Sequence, residues 1–287
     1  VEKPVATSKI PGEKLAKTQP FPTKPKAYDM QGLTNDDLID FTPELHEKAI
    51  KAVSEFEIGP LFMPPLHRDN DLGKKGSLWC PGDVGGVNID GPAAADPKTG
   101  ILYVTSRKGC TSRVMAPGKE RDALEPKPTG TTIAEYAVLR NQGARGPDDL
   151  PLFKPPYSRI TAIDMNTGET LWWIPVGETP DRIRKNPKLQ GVNVGETGTG
   201  RVATMVVTDN LLIYQGETAD GTPHLFAVDK QTGKTLAKVK VPGITRYGMS
   251  TYMHNGHQYI MLQAGPKLVA MALPDAMPKQ ESHGGGD

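Results

Sequence analysis

Two imidazoles flank a turn signal in His254-Asn255-Gly256-His257. At that spacing the ring nitrogens can hold a metal ion only with ligands supplied from elsewhere in the chain. Asn-Gly is the favoured two-residue hairpin turn, so the two rings are expected at a solvent-facing tip. The run Gly195-Glu-Thr197-Gly198-Thr-Gly200 has the composition of a phosphate cradle. It opens a strand-like stretch rather than a helix, so a turn between strands is the expected reading. Asp90 precedes Gly91-Pro92; its carboxylate suits general-base work, but an Asp in that setting caps a turn. Arg182, Arg184 and Lys185 form a short basic loop, the usual composition of a solvated surface. No Cys-x-x-Cys-His occurs, which excludes a covalently attached c-type haem in this chain. Cys80 and Cys110 can pair if neighbouring strands bring them together, but in a chain this long two cysteines more often stand as independent buried thiols.

The elements that position these residues are announced by a repeat. Asp-x-x-Thr-Gly occurs as Asp96 to Gly100, Asp164 to Gly168 and Asp229 to Gly233, about every 65 to 70 residues, each copy between two apolar, β-rich runs. A short Asp side chain accepts hydrogen bonds from free N–H groups of the bend, and Gly takes the positive φ that closes it. Each copy therefore predicts a tight hairpin.

Composition sets the outer bounds. The 287 residues are 37% apolar, with Lys+Arg 34 against Asp+Glu 33, a balance that gives no reason to expect nucleic acid or an anionic membrane as partner. No apolar run approaches the roughly 20 residues that span a bilayer. Gly 31 and Pro 27 fit a turn-rich β protein better than a helical bundle. The chain starts at Val1 with no charged-then-apolar leader, so it reads as a processed or excised product.

Residues 1–76 are expected to form an extended connector, and the prolines, charges and weak periodicity of 1–41 leave that part no core of its own, so it is expected to lie extended across a surface. Its one helix, at about 42–56, has Thr42 as N-cap, Pro43 at the first helical position, and Leu45, Ala49, Ala52, Val53 and Phe56 at helical spacing. From Ser77 the texture changes to short strands. These are Gly91–Ala95, Ile101–Ser106, Arg159–Asp164 and Thr170–Ile174, then Val202–Thr208, Leu211–Gln215, Leu225–Asp229 and Thr235–Lys240, and finally Ser250–Met253, Gln258–Gln263 and Lys267–Ala272.

Groups of four, four and three strands predict an all-β, partial β-propeller of about three four-stranded antiparallel blades, over 77–176, 177–241 and 242–274. A long surface insert occupies about 107–157, and 275–287 is a tail with nothing to bury. Propellers close with about four to eight blades. The arc is therefore expected to be incomplete, with two open flanks unless the remaining blades are supplied by another polypeptide or by an upstream part of the same precursor, or the first 76 residues add structure that the strand pattern does not reveal.

Arg159-Ile-Thr-Ala162-Ile-Asp164-Met-Asn-Thr167-Gly168-Glu-Thr-Leu171-Trp172 is similar to the tryptophan-docking motif of quinoprotein dehydrogenases. Phe226 to Ala237 resembles the same motif with Ala in place of Trp. With Leu152 to Tyr157, Thr179 to Arg184, Leu268 to Pro274, and the entry segments Thr18 to Pro25 and Leu38 to Leu45, the chain resembles the C-terminal section of PQQ-dependent dehydrogenases of the glucose and alcohol type.

That resemblance implies an eight-bladed propeller in which PQQ sits in a central funnel with Ca²⁺ or Mg²⁺. The catalytic Asp and most metal ligands would lie in upstream blades, so no catalytic or metal-ligating residue is expected here. It also implies a sugar or alcohol substrate, a quinone or cytochrome electron acceptor, and a periplasmic or otherwise extracytoplasmic setting. Asn88, within Gly85-Gly86-Val87-Asn88, matches the family's cofactor-contacting Asn, although Ile89 stands where an aromatic is expected. Gly86, Thr197, Gly198, Arg246 and Tyr247 fall in the loops that line the funnel. Trp172, Gly168, Gly233, Asp164 and Asp229 are the expected blade-docking set. Where membrane-type members carry a late Gly-Gly-His, this chain reads Gln263-Ala-Gly265-Pro-Lys267. The rival reading is a noncatalytic scaffold of PQQ-like propeller repeats that binds other proteins.

Overall fold

A computed structural model describes residues 1–82, 93–124, 134–140, 142–245 and 248–273. In chain order, the strands of the first part are β1 (Glu2–Pro4) and β2 (Thr18–Pro20), followed by helix α1 (Pro43–Val53) and strand β3 (Ser77–Trp79). Strands β4 (Ala94–Asp96), β5 (Ile101–Arg107) and β6 (Thr111–Pro117), helix α2 (Gly118–Leu124) and strand β7 (Tyr136–Arg140) come next. Strands β8 (Ser158–Asp164) and β9 (Glu169–Pro175) precede the short helix α3 (Asp181–Arg184). The rest is strand: β10 (Met205–Val207), β11 (Leu211–Glu217), β12 (Pro223–Asp229), β13 (Thr235–Lys240), β14 (Met249–His254), β15 (His257–Ala264) and β16 (Lys267–Ala272).

Three antiparallel meanders carry the propeller architecture: β4-β5-β8-β9, β10-β11-β12-β13 and β14-β15-β16. The first strands β4, β10 and β14 lie side by side, whereas β13 on the outside is exposed along its whole length. The sheets therefore fan outward from their first strands. The two four-stranded sheets share an irregularity at equivalent positions: register slips between Ala162 and Ile163, and again between Ala227 and Val228, just before the turn Asp in each case. Such a bulge sharpens the local twist and re-aims the side chains that follow it.

Alternating inward residues fill the space between sheets. Ile101, Tyr103, Ile160 and Ala162 of the first meet Met205, Leu212, Tyr214, Phe226 and Val228 of the second. The contact with the third sheet is thinner and rests on Leu225, Val241 and Leu262 with Ile213, Met249, Ile260 and Val269 packed around them. The opposite face of that last sheet carries Tyr252 stacked on Tyr259, ring centroids 5.2 Å apart, and Leu268, which is 76% exposed. The arc is open on that side.

Two segments depart from the expected layout. The stretch 107–157 is more than a surface insert, because β6 and β7 pair with β3 in a separate three-stranded sheet. The N-terminal connector is not confined to the surface either: Leu33, Leu38 and Ile39 are fully buried with Leu45, Ala49 and Val53 of α1 and with Leu150 and Leu152. A turn at Asn35–Asp37 explains how a proline-rich segment reaches a core. Asp37 Oδ2 accepts from Thr34 N at 2.8 Å and from Thr34 Oγ1 at 2.8 Å, which fixes Leu33 and Leu38 on either side of the turn. Ile39 N then donates to Leu152 O at 2.9 Å. The helix starts as its cap requires, with Leu45 N donating to Thr42 Oγ1 at 3.2 Å.

Cys80 and Cys110 form a disulfide, with Cα atoms 4.4 Å apart, rather than two independent thiols. The bridge follows from β3 pairing with β6: Trp79 lies opposite Thr111, so the residues just beyond each strand end meet.

Candidate functional site

The three pentads close in the same way. Asp96 Oδ1 accepts from Lys98 N at 3.0 Å and Oδ2 from Thr99 Oγ1 at 2.8 Å. Asp164 does the same with Asn166 N at 2.8 Å and Thr167 Oγ1 at 3.1 Å, and Asp229 Oδ1 takes Gln231 N at 3.0 Å and Thr232 N at 2.9 Å. The glycine that ends each turn has φ of 73°, 72° and 76° in Gly100, Gly168 and Gly233, a region that side-chain-bearing residues enter at a cost. The copies are not all equivalent, however. The first turn joins β4 to β5, whereas the other two join the third and fourth strands of their sheets.

Side chains tie these turns across the sheets. The Trp172 ring of β9 lies on the turn at Gly233, where an added Cβ would sit 2.9 Å from Trp172 Cε3. Trp172 Nε1 donates to Lys230 O at 3.3 Å, and Tyr103 Oη donates to the same oxygen at 3.0 Å. The Lys230 side chain runs back to the first pentad, with Nζ 2.7 Å from Asp96 Oδ2 and 3.1 Å from Thr208 O. Both charged groups are buried. Ion pairing to Lys230, with hydrogen bonds from Thr99 and Lys98 N, holds the Asp96 carboxyl down at about 2. In the second sheet Ala237 stands opposite Ala227, as Trp172 stands opposite Ala162 in the first. The link onward to the third sheet is instead Gln215, whose Nε2 donates to Gly243 O at 2.5 Å while its Oε1 accepts from Thr245 N at 2.6 Å. Lys230, Tyr103 and Gln215 were not singled out by sequence reasoning. For Lys230 a signal existed, since it sits inside a pentad. Nothing marked the other two.

The funnel-loop candidates divide. Gly86, Asn88, Arg246 and Tyr247 lie outside the described residues, as does Asp90. Thr197 and Gly198 occupy the loop between β9 and β10, and Thr197 is fully buried. Its N–H donates to Thr179 Oγ1 at 2.9 Å, its hydroxyl to Gly198 O at 3.0 Å, and its carbonyl accepts from Tyr157 N at 2.7 Å. A Cβ at Gly198 would lie 2.7 Å from Ser158 O, so this glycine allows chain to pack on chain. Thr197 thus has its N–H, hydroxyl and carbonyl satisfied within the chain, and among the described residues no three His, Cys, Asp or Glu side chains are grouped to hold a metal ion. The described residues do not on their own make a site for PQQ and its cation. His254 and His257 pair across the Asn255-Gly256 turn.

Comparison with known proteins gives the architecture its family. Residues 1–260 match the family described as PQQ glucose/ethanol/alcohol dehydrogenase, beta-propeller domain. The glycerol dehydrogenase large subunit of Gluconobacter thailandicus is 37% identical over 304 residues, covering 93% of this chain and 38% of the relative. The quinate/shikimate dehydrogenase (quinone) of Acinetobacter baylyi is 27% identical over 280 residues, covering 92% of this chain and 33% of the relative. Among solved structures, a quinohemoprotein alcohol dehydrogenase from Pseudomonas putida HK5 matches 67% of this chain and 24% of its own, at 17% identity and a TM-score of 0.40. The chain spans about a third of the length of the curated relatives it matches. With a family match that runs through the arm and the two four-stranded sheets and into the last one, the chain belongs to the PQQ-dependent glucose/ethanol/alcohol dehydrogenase β-propeller family.

Proposed function

We propose that this chain is a C-terminal section of a PQQ-dependent dehydrogenase that oxidises a sugar or alcohol at a CH–OH group, and that it requires further propeller blades to be active. The observation that carries the reading is the family match over residues 1–260 on an arc of sheets whose last face leaves Tyr252 and Leu268 exposed. PQQ supplies the two-electron acceptor in such an enzyme. This chain's share of the work is structural: it fixes the spacing of neighbouring blades through Trp172, Gly233, Lys230 and Asp96, and so sets where the inter-blade loops stand. Asn88, Gly86, Arg246 and Tyr247 belong to those loops and are the residues proposed to meet the cofactor. The complementary blades bring the catalytic carboxylate and the Ca²⁺ or Mg²⁺ ligands, and a quinone or cytochrome takes the electrons onward.

An extracytoplasmic location agrees with the Cys80–Cys110 disulfide, since such bonds persist in oxidising compartments. No helix among the described residues is long and apolar enough to cross a membrane. The test is reconstitution of the native assembly with PQQ and Ca²⁺, followed by dye reduction with glucose, glycerol and simple alcohols. Cofactor-dependent turnover is expected; its absence from the complete assembly rejects the enzyme reading. A noncatalytic propeller scaffold then takes its place, a reading favoured by the polar groups of Thr197, which are satisfied within the chain.

A further inference from the structure

A cavity of about 240 Å³ opens where the N-terminal connector crosses the ends of β5 and β8. Its chemistry is concentrated in Asp29, Asp37, Lys108, Arg159, Ser106 and Ser158. Each of these groups has part of its bonding settled locally. Asp29 Oδ1 accepts from Met30 N at 2.6 Å, while Asp29 Oδ2 is buried without a hydrogen-bond partner. Arg159 Nε donates to Tyr28 O at 3.0 Å, Arg159 Nη2 donates to the same oxygen, and Ser106 Oγ reaches it at 3.2 Å. Lys108 Nζ donates to Lys154 O at 2.7 Å, which leaves further ammonium protons. Ser158 Oγ accepts from Gly200 N at 3.1 Å and keeps its own proton to give.

Burial raises the Asp29 carboxyl to about 6, against the pull of Met30 N–H, Arg159 and Lys108. Burial also lowers the Lys108 ammonium and the Arg159 guanidinium. All three groups are therefore short of hydration. A buried carboxylate oxygen with no donor is an unmet demand that proteins meet with a partner or with bound water.

We propose that this cavity is a binding site for a small neutral polyol, with one hydroxyl donating to the Asp29 carboxylate and a neighbouring hydroxyl oxygen accepting from Lys108 Nζ. The charges select for neutrality. Two carboxylates, Asp29 and Asp37, face two cations, Lys108 and Arg159, so a second anion would lie against Asp29 and a second cation against Lys108 and Arg159. A hydroxyl both donates and accepts, and a vicinal pair meets both demands at once. The volume exceeds that of a single water, at about 30 Å³ each, and suits a molecule of the size of glycerol or erythritol. The proposal concerns binding by this chain's own residues and stands whether or not the dehydrogenase reading holds.

Calorimetric titration of the purified full-length protein at pH 7.5 with erythritol and with glycerol tests it. Saturable binding is expected, weakened about tenfold by Asp29→Asn and by Lys108→Met, each of which removes one charge-assisted hydrogen bond. Lys98→Met, at an exposed pair with Asp209, should bind as the wild type does. Circular dichroism melting establishes that the variants are folded; if Asp29→Asn is not, Lys108→Met alone decides. The proposal is overturned if wild-type protein binds neither polyol, if lactate binds in their place, if Lys108→Met leaves affinity unchanged, or if an erythritol-soaked crystal shows only water in the cavity.

Discussion

Lys230 and Asp96, 134 residues apart in sequence, form a buried ion pair in which Nζ stands 2.7 Å from Oδ2. The contact binds the hairpin turn of one sheet to the first turn of its neighbour, and the Lys230 carbonyl receives Trp172 and Tyr103 on its other side. Removing one partner strands a buried charge. Lys230→Met is expected to destabilise the chain by about 3–5 kcal/mol, measured as a shift in the urea midpoint, whereas the double change Lys230→Met with Asp96→Asn should recover part of the loss.

The same pair sets an acid limit. Because the folded-state pKa of Asp96 is depressed from 3.8 to about 2, its contribution to stability is complete above about pH 4 and is lost as pH falls toward 2. Thermal melts from pH 6 to pH 2 should show a fall in Tm across that window that is shallower in Asp96→Asn. An equally steep fall in the variant would remove Asp96 as the cause.

Gly233 offers a comparison within one chain. Gly233 and Gly256 share positive φ, at 76° and 79°, but only Gly233 lies under an aromatic ring; a Cβ at Gly256 would meet nothing within 4 Å. Gly256→Ala should cost about 1–2 kcal/mol from backbone strain alone. Gly233→Ala should cost more, by the displacement of Trp172, and Trp172→Ala about 3 kcal/mol. Equal losses at the two glycines would mean that the Trp172 contact does not contribute.

The propeller texture was legible because it rests on local signals. Asp164 to Gly168 and Asp229 to Gly233 carry their turn geometry in five residues, and the apolar, β-rich runs beside the turns mark β5, β8, β11 and β12 as strands, each buried through its middle. What escaped notice depends on distant pairing. Strands β6 and β7 lie among glycines, prolines and charges, and make a sheet only because β3 supplies an edge. Asp29, Lys108 and Arg159 come from three stretches with no shared spacing, and their juxtaposition requires the connector to turn at Asn35–Asp37 and bury Leu38. Of the six residues that the family resemblance places near the cofactor, Gly86, Asn88, Arg246 and Tyr247 lie outside the described residues, so for them the resemblance is the only guide.

The disulfide closes a loop with its cysteines 30 residues apart. By chain entropy alone, Cys80→Ser with Cys110→Ser should lower stability by about 3–4 kcal/mol. Guanidinium unfolding with and without reductant checks this, and the reduced wild type should match the double variant.

For Asp29 the sign runs opposite to Asp96. Its folded-state pKa is raised to about 6, so folding binds a proton that the unfolded chain has released, and stability declines as pH rises from about 4 to 6. Asp29→Asn, which cannot ionise, is expected to melt higher than wild type above pH 6 and to converge with it below pH 4. A difference that is constant with pH would show that ionisation of Asp29 is not responsible.

The central claim is that this arc of sheets works only as part of a larger propeller. Size fractionation of the native protein, with each fraction assayed for PQQ-dependent dye reduction and weighed by native mass spectrometry, tests it most directly. The account predicts activity in a particle heavier than the 31.0 kDa of this chain, and none in the 31.0 kDa chain itself. A 31.0 kDa monomer that turns over substrate with PQQ would contradict it.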